Sequence, residues 1–204
     1  MTTKDTIIKD LLAIEAVQIN PKHWFTWTSG IKSPIYCDNR LTMSYPEIRK
    51  KITQCFVDML QEVDWHPDVI AGCATAGIPH AAWLADALSL PLVYVRSEAK
   101  QHGKGKQIEG KVEQGQKVLV IEDLISTGSS SIKVAQCLQQ EGLHVLGVFA
   151  IFTYGLEKAK QNFAATDIPY MAISNFDLLL ELLQTDGKLT IDERKELLGW
   201  RQNL

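Results

Sequence analysis

The stretch KVLVIEDLISTGSSSIKVAQCL, residues 117–138, decides how this chain of 204 residues folds. Val118, Leu119, Val120 and Ile121 form an uninterrupted apolar run, the composition of a strand covered on both faces. Two adjacent carboxylates, Glu122 and Asp123, end the run. Leu124 and Ile125 lead into Ser126, Thr127, Gly128, Ser129, Ser130 and Ser131, and the chain then turns helical. A buried strand that ends in paired negative charge, beside hydroxyls and a glycine, calls for a chemical reason.

The same alternation continues on both sides. DVIAGC, residues 68–73, passes through ATAGIP into a helix carrying Ile78, Ala81, Ala82, Ala85 and Leu88. PLVYVR, residues 91–96, is a further strand; HVLGVFAIF and PYMAIS follow downstream, with a helix near Leu156 between them. Continuously apolar strands alternating with helices predict an α/β fold, a central parallel sheet flanked by helices on both faces. Upstream, Ile7, Leu11 and Ile14 share a helical face, and HWFTWTSGIKSPIYCDNR reads as a turn feeding a short strand. Pro46 opens a helix with Ile48, Ile52, Phe56, Met59, Leu60 and Val63 on one side. Thr190 is placed to cap a C-terminal helix. The expected organisation is one domain over 1–204, with a core over about 46–185 and a helical tail over about 186–204.

Composition bounds the function. The chain is 46% hydrophobic and 22% charged, with a formal net charge of -3, so nothing global draws it to nucleic acid or an anionic membrane. MTTKDTIIKDLL lacks the long apolar run of a signal peptide, and no stretch approaches membrane-spanning length. A cytoplasmic location is expected. Cys37, Cys55, Cys73 and Cys137 form no CxxC pair and match no histidine spacing, so neither zinc nor disulfides are expected. Cys55 and Cys137 read as small core residues, and Cys73 ends an apolar strand.

Ligands of an open parallel sheet sit beyond the carboxyl ends of its strands. There, residues 126–131 combine free backbone N–H groups of a helix start with the hydroxyls of Ser126, Thr127, Ser129 and Ser130, which favours a phosphate. The carboxylates repel that phosphate and suit ribose hydroxyls or an ordered Mg2+ shell. Together they describe a ribose 5-phosphate. Residues 97–115 form a long polar segment with Lys100, His102, Lys104, Lys106 and Lys111, Arg96 standing just before it. It reads either as a mobile loop that closes over a polyanion such as pyrophosphate or as a solvated β-hairpin. CATAGIPHAA offers either a second anion site or close helix–sheet packing at Gly77, and His80 reads as a partly buried structural residue.

VLVIEDLISTGSS resembles the thirteen-residue phosphoribosyl pyrophosphate (PRPP) signature of the type I phosphoribosyltransferases. FTWTSGIKSPIYCDNR, AGCATAGIPHAAWLADAL and RSEAKQHGKGKQIEG, in that order, resemble the orotate phosphoribosyltransferase family. The resemblance spans most of the chain from Phe25 to Ser131, with SGIKSPIY and the KxHG pattern of residues 100–103 pointing to the orotate enzymes. It implies the type I phosphoribosyltransferase fold, with a small N-terminal hood over about 1–45 and a mobile loop. It implies transfer of phosphoribose from PRPP to orotate, giving orotidine 5'-monophosphate and pyrophosphate in pyrimidine biosynthesis. Lys100, His102 and Asp123 would be catalytic. Arg96, Lys100 and His102 would address pyrophosphate, Glu122 and Asp123 the ribose hydroxyls, and Leu124, Ile125, Ser126, Thr127, Gly128, Ser129 and Ser130 the 5-phosphate loop. Lys32, Tyr36, Arg40, Ser126 and Tyr154 would face orotate. Mg2+ would be held through PRPP oxygens and water rather than directly by the protein, and a homodimer would share the mobile loop between subunits.

Departures from the family pattern are specific. Thr28, Ala76 and Ser97 stand where many members carry lysine, and Glu122 where many carry Asp. An orotate-contacting arginine common after the next strand has no counterpart in FTYGLEK, where Tyr154 and, elsewhere, Arg40 are the candidates. The alternatives are a phosphoribosyltransferase for another base and a PRPP-sensing regulator without catalysis.

Overall fold

A computed structural model describes residues 3–26, 30–97 and 107–204. The expected βαβ alternation forms a six-stranded sheet. Its strands are β5 (Val69–Cys73), β6 (Leu92–Val95), β7 (Ile108–Glu109), β8 (Lys117–Ile125), β9 (His144–Thr153) and β10 (Tyr170–Asn175), in the order β10-β9-β8-β5-β6-β7. All neighbours are parallel except β6 and β7. The continuous apolar runs divide residue by residue, because side chains alternate across a strand. Ile70, Leu119, Ile121, Phe149 and Ile151 enter one core; Val69, Ala71, Val118, Val120, Val148 and Ala150 enter the other.

The first core is covered by α1 (Thr3–Ala13), α2 (Pro46–Glu62), α3 (Gly77–Leu88), α6 (Phe176–Thr185) and α7 (Ile191–Gln202). The second is covered by α4 (Ser129–Gln140) and α5 (Glu157–Ala164). The helices after β5 and β8 thus lie on opposite faces. A crevice opens where these neighbouring strands end, the topological switch point of the sheet. Gly77 resolves as a packing residue: a Cβ there would run into the Ile121 carbonyl oxygen, so α3 rests directly on β8.

The segment before α2 is more folded than a turn and one strand. β1 (Val17–Ile19) pairs with β4 (Ile35–Cys37), β2 (Phe25–Thr26) pairs with β3 (Lys32–Ser33), and a 3-10 turn spans Asn39–Ser44. Strands of two or three residues are too short to print a period on the sequence. β6 and β7 pair antiparallel, with Tyr94 opposite Glu109 and Val95 opposite Ile108. Thr190 caps α7 in a reciprocal capping box with Glu193.

Candidate active site

β5 stops pairing with β8 at Gly72 and Ile121, so the last residues of β8 run on with that edge uncovered. Asn39 takes the place of the missing strand: its Nδ2 donates to the Asp123 carbonyl at 2.7 Å. Glu122 Oε1 accepts the Asp123 N–H at 3.1 Å, and Glu122 Oε2 accepts from Ser130 Oγ at 3.0 Å. Glu122 is buried and Asp123 half-buried. Burial, reinforced by the Asp123 charge, pushes the Glu122 carboxyl up to about 8, and burial also raises Asp123. The pair also meets different neighbours. Glu122 lies beside Ser130 and the buried Cys73, whereas Asp123 acts on Cys37 and Tyr154 and feels Arg40 at longer range.

Beyond Ile125 the chain makes the turn 126–128 and enters α4. Gly128 has φ +77°, and a Cβ on it would stand 2.5 Å from Cε2 of Phe163, so only glycine fits. Asn162 Nδ2 donates to the Thr127 carbonyl at 2.9 Å and braces the loop from α5. Thr127 Oγ1 and Ser129 Oγ lie 3.1 Å apart, and Ser129 and Ser130 are exposed. No side chain caps the start of α4 among the described residues, which leaves its first-turn N–H groups directed outward. A cleft of about 490 Å³ adjoins this turn, lined in part by Cys73, Arg96, Gln107, Ser130 and Lys133. Arg96 pairs with Glu109 at 3.5 Å across β6 and β7. Lys100 and His102 lie outside the described residues, as do Thr28, Lys104 and Lys106.

The hood side carries the other expected residues. Tyr154 is buried, and its phenol is pushed up by burial and then by Cys37, Asp123 and Tyr36. That places Tyr154 near Tyr36, Cys37 and Asp123. Arg40 Nε donates to Asp38 Oδ1 at 2.7 Å and reaches Asp123 only through longer-range attraction. Lys32 presents an exposed side chain, while its carbonyl accepts the Trp200 indole N–H at 3.1 Å. His80 is fully buried rather than partly, with Nε2 3.3 Å from Thr42 Oγ1, and desolvation lowers it to about 4. Sequence reasoning missed Asn39, Lys133 and Trp200. Lys133 was within reach, since it follows Ser129 and Ser130 at helical spacing; Asn39 and Trp200 touch the site only through long-range folding.

Among the described residues no group of three or more His, Cys, Asp and Glu is arranged to hold a metal ion. Glu122 spends both oxygens inside the protein, and Asp123 is the carboxylate left half-exposed. One hard oxygen donor near the hydroxyl turn is compatible with a Mg2+ ion ligated by phosphate oxygens and water.

The sequence profile of the phosphoribosyl transferase domain matches residues 44–174. The orotate phosphoribosyltransferase of Oceanobacillus iheyensis is 60% identical over 198 residues, which cover 97% of this chain and 98% of the relative. Among solved structures, the orotate phosphoribosyltransferase from Aeropyrum pernix superposes with a TM-score of 0.77 at 29% identity, covering 88% of this chain and 98% of that one. The Leishmania donovani UMP synthase gives a TM-score of 0.81 at 26% identity and covers 98% of this chain, which spans 42% of that longer protein.

Fold, crevice and acid–hydroxyl turn are those of a type I phosphoribosyltransferase, and the chain belongs to the phosphoribosyl transferase family. Its near full-length similarity to the Oceanobacillus iheyensis protein places it, within that family, among the orotate phosphoribosyltransferases.

Proposed function

We propose that this chain transfers the 5-phosphoribosyl group of PRPP to orotate, giving orotidine 5'-monophosphate and pyrophosphate for pyrimidine biosynthesis. The observation that carries the reading is the Glu122–Asp123 pair set one turn before the 126–130 hydroxyl loop, at the switch point of the sheet. The 5-phosphate takes the first-turn N–H groups of α4 and the hydroxyls of Ser126, Thr127, Ser129 and Ser130. Ribose lies over the acids, where Asp123 accepts from its hydroxyls. Pyrophosphate occupies the cleft beside Arg96 and Lys133, and Lys100 and His102 close on it from the loop.

The bond from the ribose anomeric carbon to pyrophosphate breaks, and its electron pair leaves with pyrophosphate. A ring nitrogen of orotate supplies the pair for the new bond. Positive charge develops on the ribose between these events. The acids tolerate that charge, and Arg96, Lys100 and Lys133 stabilise the departing anion. Mg2+, when bound through PRPP oxygens and water with Asp123 close by, would supply charge neutralisation at pyrophosphate. The charge orotate already carries sits on its carboxylate; the ring N–H proton released as the new bond forms passes to the departing pyrophosphate, so no side-chain base is required.

We further propose that residues to about 45 act as the hood over orotate, with Lys32, Tyr36, Arg40, Ser126 and Tyr154 around it. We also place the enzyme in the cytoplasm as a homodimer whose loop over residues 97–115 reaches the partner's site. Mixing a Lys100→Ala chain with an Asp123→Asn chain restores partial activity if the site is shared; verified mixed dimers without rescue would reject sharing. The reaction itself is tested with orotate, uracil, hypoxanthine and adenine as acceptors for PRPP, with and without a magnesium chelator. Turnover of a purine but not of orotate would overturn the assignment, and full activity under chelation would remove Mg2+ from it.

A further inference from the structure

The last turn of α7 brings a cation beside the loop after β9, far from it in sequence. A Cβ built on Gly155, in the loop after β9, would stand 3.4 Å from Nη1 of Arg201. Gly155 directly follows Tyr154, whose phenol faces Cys37, Tyr36 and Asp123. Arg201 is held there from two sides, by Asp177 Oδ2 at 2.5 Å and by the Phe176 ring, 5.6 Å from the guanidinium. Its neighbour Trp200 anchors the same turn to the hood through the Lys32 carbonyl, and meets Trp24 edge-on at 6.4 Å. The two side chains of the ion pair are wet unequally: Arg201 is 17% exposed and Asp177 58%. The guanidinium is therefore largely withdrawn from water, while water screens Asp177. A guanidinium has five donors in a planar fork, so a bond to Asp177 leaves capacity for a second carboxylate.

Orotate differs from uracil by one carboxylate, and a base site selective for it needs a fixed cation. Arg40 is committed to Asp38 on the acid side of the hood, and the Lys32 side chain is exposed. We propose that Arg201 is a specificity-determining residue, whose guanidinium, poised over Gly155, receives the carboxylate of the pyrimidine. The inference rests on orotate being the acceptor.

The test is steady-state kinetics of Arg201→Gln, Arg201→Lys and Asp177→Asn, with orotate or PRPP varied and uracil as the second acceptor. Removing one charge-assisted bidentate interaction from a desolvated site corresponds to roughly 10- to 100-fold in affinity. Arg201→Gln is expected to raise the orotate KM by about that factor while the PRPP KM and uracil turnover stay within about twofold. Arg201→Lys recovers part of the loss. Asp177→Asn leaves the orotate KM unchanged or lowers it, since it removes the competing carboxylate. An unchanged orotate KM in Arg201→Gln overturns the proposal, as does an equal rise in Asp177→Asn, which would show that only the ion pair matters. If Arg201→Gln does not fold, Arg201→Lys decides: an orotate KM raised several-fold at unchanged melting temperature supports the role, and wild-type kinetics reject it. Failure of wild-type enzyme to use orotate at all is a separate result, which refutes the reaction rather than the residue.

Discussion

Replacing Glu122 with Gln tests whether the acid pair is held partly protonated by its own burial. In the folded chain the carboxyl is raised from an ordinary 4.5 to about 8, first by desolvation and then by Asp123. A folded-state pKa above the unfolded one means that the native protein holds a proton the unfolded chain has released. Stability from this group is therefore complete below about pH 4.5 and is lost as pH rises through about 8. Between about pH 6.5 and 8 the loss is on the order of 2 kcal/mol. For a domain of this size that corresponds to roughly 3–8 °C in melting temperature. His80, lowered from 6.5 to about 4, makes stability rise with pH between those two values, so its opposing trend is mostly complete where this window begins. Glutamine retains the shape and one acceptor for the Asp123 N–H, and Ser130 can rotate its hydroxyl to accept from the new amide. Thermal melts and urea titrations at pH 6.5 and 8 should show the decline in wild type and little of it in Glu122→Gln. Equal declines in both proteins would falsify the argument that burial of Glu122 controls it.

Gly128→Ala is expected to destabilise by about 2–4 kcal/mol, combining left-handed backbone strain with overpacking against Phe163, and to raise the PRPP KM at least about tenfold. Urea unfolding and initial rates check the two effects separately, and a wild-type PRPP KM would reject the role of the turn. Asn39→Ala removes the donor to the Asp123 carbonyl and is expected to cost about 1–2 kcal/mol while lowering kcat more than it raises the PRPP KM. Unchanged kcat with the same stability loss would make Asn39 a purely structural prop.

Much of this architecture was legible from local patterns. The apolar run 118–121 needed only its composition to declare a strand covered on both faces, and the adjoining hydroxyls, glycine and helix start share one short segment with the acids. Thr190 likewise announced its helix, because a capping box is contained within four residues. The hood was harder to read, since β2 and β3 have two residues each and depend on long-range support such as the Trp200 bond to Lys32.

What the sequence determined by itself was therefore the parallel sheet, the hydroxyl turn and the pairing of acids with it, all set by neighbours along the chain. Tertiary structure alone decided the environment of those groups. Glu122 is raised because folding buries it between β8 and α4. Asp123 is tied to Asn39, 84 residues away, because β5 ends early and leaves its carbonyl without a strand partner. Arg201 stands over Gly155 because α7 packs back across the hood, and no spacing rule reaches over that distance. Periodicity and capping act over a few residues, whereas desolvation and charge placement depend on which distant segments meet.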